Sequence, residues 1–187
     1  MKFLRTFSYL FVILFFNANT IIAQQMPTKL QSLHHVDALF IGAGYNYEQA
    51  SASNFTLSAG LSAITSVYSF YISVNQNGSV VGLYPCFSLD PRWYTNVNRR
   101  VRKGKSVENN SANFLSLLVE YIPDSPIIGP IMRRETFAIT PRWGFRSSFN
   151  QNFFTEFAIG LPYIMDDIRS EVGLHLGIKV GFGFCKK

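Results

Sequence analysis

His175 is the residue with the most chemistry to offer. Together with Glu156 or Glu171 and a serine it would supply the parts of a hydrolase triad, in which imidazole takes the hydroxyl proton and a carboxylate orients the ring. Nothing in the spacing brings a serine to it, so it reads first as a histidine satisfied among polar neighbours. Asp166-Asp167 could act as an acidic pair or grip a cation, but no histidine accompanies it, and a polar loop tip is the simpler reading. His34-His35 reads as part of a solvated tail rather than as a ligand pair. Cys86 and Cys185 have no metal-site spacing. One falls mid-strand and the other at the far end of the chain, which argues against a disulfide, since separated Cα atoms cannot be bridged. No catalytic residue, metal ligand or cofactor is assigned.

The second chemical feature is a basic run, Arg99, Arg100, Arg102, Lys103 and Lys105. Gly104-Lys105-Ser106 has the ending of a phosphate-binding loop, but the position that must hold the first glycine is Arg99, so that motif is rejected. Nucleic acid is an unsuitable partner for an exported chain. What remains is a solvated turn or a contact with lipid phosphates or another anionic envelope component, which Arg and Lys pair with readily. Arg142 and Arg146 stand four apart, about 13–14 Å along a strand face. They could draw anions into a pore, or pair with acids such as Glu120 or Glu156.

The elements that must carry these residues are strands. Residues 171–184 alternate over fourteen positions: Val172, Leu174, Leu176, Ile178, Val180, Phe182 and Phe184 against Glu171, Gly173, His175, Gly177, Lys179, Gly181 and Gly183. A period of two means one apolar and one polar face. The same pattern recurs over 133–148, 153–163, 79–95 and 112–122, and more weakly over 37–48 and 54–64. Residues 67–75 are expected to form the eighth strand. The breaks carry turn residues, with Asn77-Gly78 the strongest hairpin signal. Pro85, Pro91 and Pro141 are unusual inside strands and weaken pairing there.

The chain has 187 residues and a formal charge of +6. Lys2 and Arg5, the apolar run from Phe7 to Phe16, and Ala23 before Gln24 make a secretory signal peptide over 1–23. A short tail is expected over 24–36 and one domain over 37–187. No later stretch is apolar for long enough to cross a bilayer as a helix.

The polar strand face carries Glu48, Asp90, Glu120, Glu156 and Glu171 against Arg92, Arg142, Arg146 and Lys179, with His175. Near-balanced charge among Gly and Ser suits the filled lumen of a small barrel, with the apolar face turned to lipid. A soluble barrel would have to expose large apolar patches if its polar face were inside. Trp93, Tyr94, Tyr121, Tyr163, Phe182 and Phe184 fit an interfacial girdle.

These strands, the final Gly181-Phe182-Gly183-Phe184, the stretch Pro91-Arg92-Trp93-Tyr94 through Arg99 to Lys105 and Asn109 to Phe114, and Pro141-Arg142-Trp143-Gly144-Phe145-Arg146 resemble small bacterial outer-membrane β-barrel proteins of the OmpA/OmpX-like type. The resemblance covers roughly residues 37–184. It implies insertion by the barrel-assembly machinery, and it brings no shared catalytic residues. Substrates of that machinery commonly end in an aromatic residue, whereas Cys185, Lys186 and Lys187 follow Phe184 here.

The expectation is an all-β, antiparallel, up-and-down transmembrane barrel of eight strands in the Gram-negative outer membrane. It would be monomeric, in contact with outer-membrane lipid and lipopolysaccharide, and non-catalytic, with a structural or surface-interaction role. The competing readings are a lipid-modifying enzyme of the outer membrane and a secreted, lipocalin-like lipid carrier.

Overall fold

The computed structural model describes residues 28–39, 42–65, 82–129, 134–168 and 170–185. The leader and the strand expected over 67–75 lie outside these residues. The described residues form ten strands: β1 Leu33–Leu39, β2 Gly42–Ala52, β3 Phe55–Thr65, β4 Leu83–Tyr94, β5 Asn113–Ile122, β6 Thr136–Ser148, β7 Phe153–Gly160, β8 Tyr163–Met165, β9 Ser170–Val172 and β10 His175–Cys185. Eight of them, β1 to β7 and β10, pair antiparallel with their neighbours and close through β10–β1 and β5–β6 into an up-and-down barrel. The other two, β8 and β9, form a small hairpin that continues the wall above β6.

The ring has eight strands, but not for the reason the sequence suggested. Residues 37–48 are not one strand. The chain reverses between Leu39 and Gly42, which pair with each other. The segment expected as a tail therefore supplies part of β1, from Leu33. The reversal also flips the parity of the faces, so His35 and Asp37 point inward on β1, as Gly44 and Glu48 do on β2. Nothing in Ala38-Leu39-Phe40-Ile41 has turn chemistry, and the run looks like uninterrupted strand. His34-His35 is accordingly not a solvated tail. His35 is fully buried, and His34 packs outward among Tyr45, Tyr47 and Phe184.

The long run over 171–184 also divides. β9 pairs with β8, whereas β10 pairs with β7 and β1, and Gly173-Leu174 lies between them. The prolines interrupt pairing on one side only, because each lacks a ladder donor: β3–β4 runs unbroken through Pro85 and Pro91, and β5–β6 through Pro141. The β4–β5 ladder runs Phe87–Leu89 and then resumes at Arg92, skipping Pro91 and never reaching Pro85. At Pro141 only the carbonyl is used, accepting from Leu161 N (3.2 Å) just past the last β6–β7 pair.

Both ends of the described chain lie at one end of the barrel, where Leu33 pairs with Cys185. That mouth is stoppered by the connection between β4 and β5. It comprises a short helix, α1 (Val97–Arg102), and a single 3-10 turn over Glu108–Asn110. Val97, Val107 and Ala112 are buried there with Leu30, Tyr94, Phe114 and Ala158. At the opposite end, Ile64, Tyr84, Cys86 and Ile122 form a smaller apolar cluster.

Candidate functional site

The lumen is the site, and its charges come from strand positions of one parity. Asp90 and Arg92 on β4, Arg142 and Arg146 on β6, Glu156 on β7, Glu48 on β2, and Asp37 on β1 are all buried. Lys179 on β10 joins them, with its side chain 15 % exposed. In side-chain terms the set is four acids and four bases, so this network is electrically neutral.

The set is bonded across the lumen as well as along its walls. Arg92 gives Nη1 to Glu156 at 2.7 Å and Nε to Asp90 at 2.5 Å. Arg142 bonds Asp90 through Nη2 and donates Nε to Ser116 at 2.9 Å. Arg146 pairs with Glu48 at 2.8 Å and with Glu156 at 2.7 Å. Lys179 lies 3.5 Å from Asp37 and 3.6 Å from Glu156. Glu48 also accepts from Thr56 (2.7 Å), Tyr94 (2.8 Å) and Asn110 (2.9 Å). Stripping water from such charges is costly unless each is paired and hydrogen-bonded, and these contacts supply that compensation. Two inward phenylalanines carry the guanidinium faces. Arg92 lies 4.7 Å from the Phe114 centroid, and Arg146 lies 4.5 Å from that of Phe154.

Of the expected lumen residues, Asp90, Arg92, Arg142, Arg146, Glu156 and Lys179 meet in this one network. Glu120 faces inward nearer the far end, half-buried beside the Cys86 thiol (3.9 Å). Glu171 does not belong: it is exposed on β9, because the run that seemed to carry it into the barrel breaks at Gly173. His175 is on the lumen face, but its Nε2 has no hydrogen-bond partner among the described residues. Tyr94, expected at an aromatic girdle, points inward to Glu48 instead, while Trp93, Tyr121, Tyr163, Phe182 and Phe184 are outward. Cys86 keeps its thiol buried on the inward face of β4.

Sequence reasoning missed Asp37, because an unbroken strand over 37–48 would set it on the face opposite Glu48, and it missed the stopper. Asn109 and Asn110 adopt left-handed backbone conformations (φ 48° and 59°), which asparagine tolerates better than most residues. Asn110 exchanges hydrogen bonds with the Gln31 backbone (2.8 and 3.0 Å) while also reaching Glu48. The Asn109 carbonyl accepts from Arg146 (3.2 Å), and its side chain donates to Ser148 and Gln151. The adjacent Asn-Asn pair was the available signal. The basic run lies on this stopper. Arg99, Arg102, Lys103 and Lys105 are exposed, and Arg100 is half-buried with two bonds to the Ser106 carbonyl (3.1 and 2.8 Å). Burial also pushes the Glu108 carboxyl up from its ordinary range.

Chemically, the arrangement is a set of struts. It ties opposite walls together and occupies the barrel axis with fixed, compensated charge. Searches of family models, of curated proteins and of solved structures return no match to this chain.

Proposed function

We propose that this chain is a small outer-membrane β-barrel of Gram-negative type with a side-chain-filled lumen, serving a structural or surface-interaction role in the cell envelope. The observation that carries this reading is the inversion of burial. Ion pairs fill the inside, while Leu57, Leu61, Leu89, Leu117, Ile159, Ile178 and Val180 stand exposed around the outside. A lipid-carrying barrel in water needs the opposite arrangement. Strand length supports it: β2, β3 and β10 have 11 residues each, β4 has 12 and β5 has 10. Crossing a bilayer obliquely takes about 9–11. Closure of the ring satisfies the backbone where no water could. None of the described helices is long and apolar enough to cross a membrane.

On this reading the mature chain is exported, inserted by the barrel-assembly machinery, and surrounded by outer-membrane lipid as a monomer. The OmpA/OmpX-like resemblance is part of the same proposal. Cell fractionation with gel migration of boiled and unboiled samples tests it. A protein in the outer-membrane fraction that migrates differently when unboiled is the expected result. A soluble protein with no heat-dependent shift would overturn it.

A further inference from the structure

Among the described residues, exposed charge is sorted by end. At the end where Leu33 pairs with Cys185, Lys29, Arg99, Arg102, Lys103 and Lys105 are exposed. The acid of the stopper, Glu108, is half-buried. At the other end, Asp124, Glu135, Asp167 and Glu171 are exposed, with Arg134 as the counter-charge among the described residues. The ion-pair network between them is internally balanced.

The basic end is also held rigidly. Val97 and Val101 lie one turn apart on α1. Val97 is buried in the apolar stopper and Val101 packs against it, which leaves Arg99 and Arg102 on the opposite, open face. Arg100 secures the following loop through its two bonds to Ser106. The height of this face is fixed by the wall beside it. Trp93 is the penultimate residue of β4, and outward Phe145, Phe153, Phe182 and Phe184 stand at the same end of the barrel. In a membrane barrel, outward aromatics of this kind mark the headgroup level.

We propose that Arg99, Arg102, Lys103 and Lys105 form a docking surface for anionic phospholipid headgroups, in the leaflet at the end of the barrel where Leu33 pairs with Cys185. The inference rests on the membrane-barrel reading. Its physical content is charge complementarity: a cluster of exposed cations with no ion pair among the described residues, just beyond an aromatic ring, meets a layer of phosphates, whereas the described residues of the opposite end are mainly acidic. Each Lys or Arg close to an anionic surface is worth about fivefold in association, so four acting together should be readily measured.

The full-length mature protein would be folded into vesicles of phosphatidylcholine alone and of phosphatidylcholine with a minority of phosphatidylglycerol. After gentle detergent release, the lipids retained would be counted by native mass spectrometry. The wild type should retain phosphatidylglycerol over phosphatidylcholine by at least about tenfold, less so in high salt. The combined Arg99→Gln, Arg102→Gln, Lys103→Gln, Lys105→Gln variant should lose the preference while keeping its heat-dependent gel shift. Asp124→Asn with Asp167→Asn, at the far end, should leave the preference intact. Equal retention of the two lipids by the wild type, or an undiminished preference in the quadruple variant, would overturn the proposal. So would binding to a soluble polyanion without any lipid preference. Failure of the wild type to fold into either vesicle would instead overturn the membrane reading itself.

Discussion

Arg146 on β6 and Glu48 on β2 stand four strands apart whichever way the ring is followed, and their ion pair (2.8 Å) spans the barrel. Glu156 on β7 takes the other side of the same guanidinium and also holds Arg92 from β4. Four separate strands are thus joined through two arginines. A barrel wall already has its backbone hydrogen bonds. What these struts add is a fixed cross-section and the exclusion of alternative fillings.

Removing one end of a strut should cost far more than the strut contributes, because the remaining charge is stranded. Glu48→Gln leaves Arg146 without one of its two carboxylates and weakens the bonds from Thr56, Tyr94 and Asn110. Destabilisation of about 3–5 kcal/mol is expected, measured by urea titration of the vesicle-folded protein. Replacing both ends, Glu48→Gln with Arg146→Met, should recover part of that loss. If the double variant is as unstable as the sum of the single variants, the pair is not the strut described.

Leu117 tests the outward face. It is exposed near the middle of β5, opposite Pro141, while its neighbour Ser116 points inward to Arg142. Leu117→Arg should cost about 2–4 kcal/mol in vesicles, falling toward zero for the same change near an interface. Folding titrations of Leu117→Arg beside Leu115→Arg, nearer the strand end, check the depth dependence. Equal, small effects would mean that neither side chain meets lipid.

The strand pattern was legible because a barrel imposes one rule at every residue, alternation between two media, and local side-chain chemistry reports it directly. Arg142, Arg146 and Glu156 could be assigned to one face from parity alone. Parity fails only where an unseen turn resets it. Phe40-Ile41 lies between paired Leu39 and Gly42 without Gly, Asn or Pro to announce a reversal, and Asp37 and His35 were lost for that reason. Which acid meets which base was not legible at all. Arg92 and Glu156 are 64 residues apart and meet through the curvature of the ring. The stopper has no period to read, since its residues are held by individual hydrogen bonds rather than by a repeating face.

Gly183 is the point where the stopper meets the wall. A Cβ on it would lie 2.6 Å from Asn109 Oδ1, on a side chain fixed by Ser148 and Gln151. Gly183→Val should therefore loosen the stopper at a cost of about 1–3 kcal/mol. Trypsin should then cut faster at Arg102, Lys103 and Lys105, which are exposed but sit on a braced loop in the parent. Shortening the opposing side chain in the same protein, Asn109→Ala, should slow cleavage again. Unchanged cleavage in Gly183→Val would show that the stopper does not lean on β10.

Cys86 offers a check on the interior that does not depend on stability. Its thiol is 1 % exposed, on the inward face of β4 with Tyr84 and near Ile64 and Ile122. Thiol reagents need a path to the sulfur, and burial closes that path until the barrel opens. In a Cys185→Ser background, Cys86 should resist a maleimide in the folded, unboiled protein and react fully after heating. Leu89→Cys with Cys86→Ser moves the thiol three residues along β4 to the outward face. That protein should react with a lipid-soluble maleimide while still folded and resist a membrane-impermeant one. The two behaviours together separate inside from outside on one strand. If Cys86 were labelled as fast as the outward thiol in the folded state, β4 would be turned the other way and the charged residues that share its parity, Asp90 and Arg92, could not fill the lumen.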